Sequence, residues 1–176
     1  TKEDYTSDEI NKFIEENKDQ LKREYIDFKY VVLNPKNLIG IDEFNQDFFN
    51  EIDDIENKIS QGEKFNAIIE NINVDVIDIN EFVPNVKTNS NEELIYSKKL
   101  TKLDIFESGD NYILYNIENE YERSPDLNDE IVKGEIVEFI YQKGKFDYNK
   151  KIIEEIQNDV FNDSNFTELS SGKIQS

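Results

Sequence analysis

Residues 40–62, GIDEFNQDFFNEIDDIENKISQG, carry a helical pattern around which the rest of the chain is arranged. Apolar residues recur there at gaps of three and four, which places them on one face of an α-helix; they are Ile41, Phe44, Phe48, Ile52, Ile55 and Ile59. Acidic side chains fall on the opposite side, and Gly62 suits a left-handed cap at the C-terminal end. The stretch therefore predicts an amphipathic helix of about five turns that covers neighbouring strands.

The segments on both sides of this helix have the period-two alternation of β-strands. Residues 24–33 alternate polar side chains with aromatic and β-branched ones, and Asn34-Pro35 ends the run because proline donates no ladder hydrogen bond. Residues 103–105 and 112–117 flank the turn-forming segment 108–111, which is typical of a β-hairpin.

Weaker patterns complete the predicted order of elements. A short strand is predicted over 74–79, and the stretch from Phe82 to Asn91 is predicted to be a loop. Helical spacing predicts further helices over 7–21, 65–72 and 92–100, a block from 127 that Gly144 interrupts, and a last helix over 146–160. Residues 1–6 and the tail from Ser170 are predicted to be irregular. Strands separated by helical blocks indicate the α+β class.

The charge of the chain limits its partners. With 176 residues and a net charge of -20, the protein lacks the basic surface that nucleic acids require, and anionic membrane surfaces repel it. No apolar run approaches the ~20 residues of a membrane-spanning helix. Met is absent throughout, which indicates that the chain was processed or cut from a longer one.

The residue types that are missing exclude many reactions. Cys and His are absent, so no disulfide, thiolate nucleophile, imidazole base or ordinary zinc site is possible. Residues 71–75 begin like a calcium-binding loop, but the pattern lacks the later glycine, and Phe82 stands where its last acid is needed. No phosphate-binding loop or dinucleotide-binding glycine pattern is present. We therefore expect neither a metal nor a cofactor.

Three short motifs follow one another in a familiar order. FKYVVL at 28–33 precedes the long helix, ISQGEKF at 59–65 follows it, and NYILYNI at 111–117 closes the series. Their order resembles the parvulin domain of peptidyl-prolyl isomerases, and SDEI at 7–10 is similar to the start of the helix before that domain in the periplasmic SurA and PpiD chaperones. The resemblance implies a small antiparallel sheet covered by helices, with its first and closing strands paired at the centre.

The chain departs from that family at the positions that matter for turnover. Active parvulins carry one histidine on the first strand and another on the closing strand, and matching the motifs puts Tyr30 and Ile113 there. The resemblance therefore implies the fold and the type of substrate without catalysis. It also implies a shallow apolar peptide-binding groove lined by Tyr30 and Ile113, with Phe82 and Phe106 nearby. The alternative is that Tyr30 and Ile113 are ordinary sheet residues that face the core.

The sequence thus predicts a parvulin-like domain over 23–122, with 1–22 and 123–176 contributing helices to a separate helical lobe. The resemblance implies a non-catalytic folding factor that binds unfolded or newly exported polypeptides through extended apolar and aromatic segments. Two alternatives stay open: a prolyl isomerase that works without histidines, and a purely structural interaction or dimerisation module. The implied location is the periplasmic side of a bacterial inner membrane, with attachment only through an anchor helix before residue 1.

Overall fold

The computed structural model describes residues 5–174, and their side chains as far as residue 160. Backbone contacts divide the chain into two compact units, one from Lys22 to Ser124 and the other made of Thr1–Leu21 and Pro125–Ser176. These boundaries lie one or two residues from the predicted ones. In chain order the elements are α1 (Ser7–Glu16), β1 (Arg23–Leu33), α2 (Pro35–Ile39), α3 (Gln46–Ser60), α4 (Phe65–Ile69), β2 (Ile77–Phe82), α5 (Ser90–Ser97), β3 (Leu103–Ser108), β4 (Asn111–Arg123) and α6 (Glu130–Ile174).

The four strands form one antiparallel sheet in the order β2-β1-β4-β3. β1 pairs with β4 along its whole length, from Arg23 to Leu33, which confirms the prediction that the first and closing strands pair at the centre. The predicted hairpin is also present, with Ser108 opposite Asn111 at its closed end. Gly109 has φ +61°, a conformation that glycine adopts without strain in such a turn.

Helices cover both faces of this sheet, so β1 presents apolar side chains to both sides, Val31 and Leu33 to one and Phe28 and Tyr30 to the other. On the side that we call the α3 face, the buried residues of the strands and helices are Val31, Leu33, Phe48, Ile52, Ile55, Phe65, Ile68, Ile105 and Leu114. On the opposite side, the α5 face, they are Ile26, Phe28, Tyr30, Ile95, Ile113, Tyr115 and Ile117. The unit is therefore an α+β domain with two hydrophobic cores separated by one sheet.

The predicted amphipathic helix is present, but it begins later than expected. Asn45 caps α3 by accepting the N–H of Phe48 at 3.0 Å, so the helix starts after Phe44. Ile41 and Phe44 lie in the preceding loop with 45% and 48% of their surface exposed, and their predicted place on the buried stripe is wrong. The spacing of apolar residues extended the predicted helix back to Ile41, because spacing does not show that a cap at Asn45 begins the helix.

The remainder of this helix agrees with the prediction. Phe48, Ile52 and Ile55 are buried, and Ile59 is half-buried against the same core. Gly62 has φ +83°, and its N–H bonds to the carbonyl of Ile59 at 3.0 Å. The predicted left-handed cap is confirmed.

A short helix that was not predicted, α2, follows directly on β1. The side chain of Asn34 accepts the N–H of Asn37 at 3.0 Å, and the side chain of Asn37 accepts the N–H of Asn34 at 3.0 Å. Pro35 occupies the first position of the helix, where its missing N–H costs no hydrogen bond. Asn34-Pro35 therefore ends the strand, as predicted, and also begins a helix that Gly40 closes with φ +76°.

The second unit contains α1 and α6. Thr6 caps α1 by accepting the N–H of Glu9 at 3.3 Å, but the helix ends at Glu16, so the expected helix to residue 21 is wrong. The ring of Phe13 meets that of Phe139 edge-on at 5.9 Å. α6 runs without a break through Gly144 because glycine disfavours a helix interior by only about 1 kcal/mol and keeps its N–H donor.

Irregular structure was predicted at both ends of the chain. The tail from Ser170 is helical to Ile174, so the expectation of irregular structure is wrong there, while residues 175–176 lie outside the described range. Residues 1–4 of the predicted irregular start also lie outside the described range. Within the described residues, no helix combines the length and the apolar character needed to cross a bilayer.

Candidate functional site

The structure brings the four predicted site residues together on the α5 face. Tyr30 lies on β1 and Ile113 on β4, the two central strands, while Phe82 and Phe106 lie on the edge strands β2 and β3. Tyr30 is opposite Tyr115 in the sheet register, and Ile113 is opposite Val32. Tyr30 and Ile113 are therefore diagonal neighbours that point to the same side of the sheet.

Aromatic rings extend this site in both directions across the sheet. Phe28 lies 6.0 Å from Tyr30 in a stacked arrangement and meets Phe82 edge-on at 5.3 Å. Phe82 in turn approaches Tyr96 of α5 at 6.1 Å. At the other edge, the ammonium of Lys98 lies over the ring of Phe106 at 5.4 Å from its centre. The surface is therefore built for apolar and aromatic contact.

Exposure divides the four residues into two pairs. Ile113 is fully buried and Tyr30 keeps only 4% of its surface exposed, whereas Phe82 and Phe106 are half-buried. A ligand can touch Phe82 and Phe106 as they stand. Contact with Tyr30 or Ile113 requires a change in the packing of the α5 face.

The tyrosine hydroxyls of this face are already engaged. Tyr30 donates to a carboxylate oxygen of Glu92 at 3.4 Å, and the hydroxyl of Tyr115 bonds to the carbonyl of Thr101 at 3.0 Å. Burial raises the pKa of Tyr30, and it raises the pKa of Tyr115 to about 12. Both phenols stay protonated at neutral pH, so neither can serve as a general base there.

Phe82 reaches the α5 face through an irregularity that sequence spacing could not reveal. Phe82 was predicted to begin a loop, which is wrong: it is the last residue of β2. Phe28 is opposite Ile79 and Ile26 is opposite Phe82, so two residues of β2 stand opposite Asp27 alone. This β-bulge shifts the alternation by one residue and turns Phe82 to the same side as Ile79.

Asp27 is the residue that holds the bulge. Its carboxylate accepts the backbone N–H of Glu81 at 2.8 Å, the amide of Asn119 at 3.0 Å and the hydroxyl of Tyr121 at 3.1 Å. Glu81 itself has φ +53°, which is unfavourable for a residue with a side chain, and its carboxylate pairs with Arg123 at 2.7 Å. Asp27 is therefore a positioning residue for Phe82.

We expect Asp27→Ala to destabilise the protein by about 1–2 kcal/mol, because it removes three charge-assisted hydrogen bonds. Solvent reaches part of this network and weakens these bonds, which keeps the loss modest. The N–H of Glu81 lowers the pKa of Asp27, with smaller contributions from Asn119, Tyr121 and the charge of Arg123. A lowered pKa in the folded state means that this stabilisation is present above the unfolded value of about 4 and is lost as the pH falls through the folded value.

Urea unfolding of the parent and of Asp27→Ala at about pH 7 and about pH 3 measures this stabilisation. The difference in unfolding free energy between the two proteins should be smaller at the lower pH. Asp27→Asn, which keeps one acceptor oxygen for Glu81, should lose less than Asp27→Ala. The NMR signals of the Phe82 ring should move in Asp27→Ala. Unchanged Phe82 signals would contradict the positioning role.

The Lys22–Ser124 unit also has two hollows away from the α5 face. The larger, of about 470 Å³, is lined by residues that include Glu63, Lys64 and Glu118 together with apolar side chains. Its lining has charges of both signs and indicates no single ligand class. Among the residues that the structure describes, no group of three or more metal-binding side chains comes together.

Comparisons with known proteins add no relative. No protein-family model matches the chain, no curated protein is detectably similar to it, and no solved structure matches its fold.

Proposed function

We propose that the Lys22–Ser124 unit is a parvulin-like domain that binds unfolded or extended polypeptides without catalysing their isomerisation. One observation carries the proposal. The two positions that the resemblance assigns to histidines, Tyr30 and Ile113, are diagonal neighbours on adjacent central strands and point to the same face. Residues 83 positions apart in the sequence would meet in this way only in a sheet whose first and closing strands pair.

The chemistry of the α5 face supports binding without turnover. Its aromatic rings can remove water from an apolar peptide side chain, and Phe82 and Phe106 keep exposed surface for that contact. Its hydroxyls are bonded within the protein and offer no donor aimed at a twisted amide. Binding that is equal in the ground state and the transition state does not raise turnover. The proposed clients are extended segments rich in apolar and aromatic residues, on the periplasmic side of a bacterial inner membrane.

The test is a titration with a capped, uncharged peptide rich in Phe and Leu, followed by amide NMR of the full chain. We expect micromolar or weaker affinity and shifts around Phe82 and Phe106. Phe106→Ala should weaken binding by about 5- to 30-fold, as for a central aromatic contact. The matched control is Tyr148→Ala, which removes an exposed ring from α6 in the other unit and should leave affinity unchanged.

A proline-limited refolding assay tests the non-catalytic part. We expect the protein to leave the slow, isomerisation-limited phase of a substrate unchanged. Acceleration of that phase would favour an isomerase that works without histidines. If no unfolded peptide shifts the signals of the α5 face, the binding function is wrong and a structural module is favoured.

A further inference from the structure

A second aromatic surface lies away from the α5 face, at the closed end of the β3–β4 hairpin. Phe44 and Phe49 stack at 6.3 Å, and both pack edge-on against buried Phe48, which also meets Tyr112 at 5.8 Å. Phe44 and Phe49 nevertheless keep 48% and 41% of their surface exposed. Two adjacent phenylalanines with this much exposed surface mark an interaction surface better than a single exposed apolar residue does.

These rings form one wall of a groove of about 220 Å³. The groove is lined by Phe44, Phe49, Glu107, Gly109, Asp110 and Tyr112, which we call the hairpin groove. Small-molecule sites are usually larger, about 300–1,000 Å³, and enclose most of their ligand. The hairpin groove is therefore of a size for one side chain of a larger partner.

The groove is negatively charged. Glu107 and Asp110 lie in its lining. Burial is the main cause that raises the pKa of Tyr112, and the negative charges of Glu107, Glu56 and Asp53 raise it further. None of the ion pairs recorded among residues 5–160 involves Glu107 or Asp110. Aromatic faces beside carboxylates attract cations by two independent terms, the ring quadrupole and the ionic charge.

We propose that the hairpin groove binds a polypeptide segment that presents a lysine or arginine next to an apolar side chain. The cationic head would lie between the ring faces and the carboxylates of Glu107 and Asp110, while the apolar neighbour covers Phe44 and Phe49. A second copy of this chain is a poor occupant because a protein with a net charge of -20 repels itself. Nucleic acids and anionic membranes are repelled for the same reason.

Three capped pentapeptides test the proposal on the full chain: Gly-Leu-Arg-Leu-Gly, its Gln counterpart and its Glu counterpart. In amide NMR we expect the Arg peptide to shift residues of the hairpin groove, the Gln peptide to bind about 3- to 10-fold more weakly, and the Glu peptide weakest of all. Raising the salt from about 0.02 M to about 0.5 M should weaken the Arg peptide and leave the Gln peptide nearly unchanged.

Variants separate a local site from general attraction to an acidic protein. Glu107→Gln should weaken the Arg peptide, whereas Glu93→Gln, which removes the same charge from an exposed position on α5, should not. Phe44→Ala with Phe49→Ala should abolish the groove shifts, and Phe146→Ala on α6 should not.

Equal weakening by Glu107→Gln and Glu93→Gln, or equal binding of the Arg and Gln peptides, would overturn the proposal. So would shifts confined to the α5 face around Phe82 and Phe106, an outcome that would leave the proposed function intact.

Discussion

Phe48→Ala is expected to lower the free energy of unfolding by about 3–5 kcal/mol, as for the removal of a buried aromatic side chain. Phe48 is fully buried in the core of the α3 face. Its ring also supports Phe44, Phe49 and Tyr112, at centroid distances of 5.1, 5.4 and 5.8 Å. Truncation leaves a cavity beneath three other rings, so the loss should fall in the upper part of the range.

The measurement is urea unfolding, with Asp47→Ala as the matched control on the neighbouring residue. Asp47 is exposed, and its removal should change the unfolding free energy by no more than about 0.5 kcal/mol. Losses of similar size for the two variants would show that the buried face of α3 has been assigned wrongly. Because Phe48 holds the rings of the hairpin groove, Phe48→Ala should also broaden or shift the signals of Phe44 and Phe49.

The second large effect concerns Ile113, the residue that the resemblance to parvulins matches with the histidine on their closing strand. Ile113→His is expected to destabilise the protein by about 2–4 kcal/mol at neutral pH, because it places two ring nitrogens in a fully buried apolar cluster. The nearby hydroxyls of Tyr30 and Tyr115 already bond to Glu92 and Thr101, so they are poor partners for a new imidazole.

The sign of the pH dependence follows from the same burial. Burial lowers the pKa of an imidazole, so the unfolded state binds the proton more readily than the folded state. The variant should therefore lose further stability as the pH falls below about 6.5, the unfolded value. Thermal unfolding at about pH 7.5 and about pH 5.5, compared with the parent, measures this difference.

Ile113→Leu is the control, because a swap that conserves volume should cost less than about 1.5 kcal/mol and add no pH dependence. If Ile113→His is as stable as Ile113→Leu at neutral pH, position 113 is open to water and the α5 face is less closed than its burial indicates. Tyr30→His combined with Ile113→His should not accelerate proline-limited refolding, because a peptide cannot reach buried imidazoles. Acceleration by this double variant would contradict the closed state of the face.

Some elements of this fold follow from local rules that act within a few residues. The strand Arg23–Leu33 has its alternating pattern and stops before Asn34-Pro35, Gly62 follows the end of α3, and the hairpin turns at Gly109. Proline lacks a backbone donor, and the two glycines adopt positive φ without strain, so these boundaries can be read from the chain alone. The buried residues Phe48, Ile52 and Ile55 were predictable for the same kind of reason, because helical spacing is local.

Other features depend on contacts between distant segments, and local patterns do not contain them. Phe82 joins the α5 face only because the carboxylate of Asp27, 54 residues earlier, holds the backbone of Glu81 in a bulge. Phe44 continues a helical spacing, yet the Asn45 cap leaves it exposed in the hairpin groove beside Glu107 and Asp110. The sequence by itself determined the two central strands, the hairpin turn and the C-terminal end of the central helix, because hydrogen-bond donors and backbone angles are properties of single residues. The tertiary structure decided which rings are buried and which are presented to a partner, because exposure depends on what the other segments cover.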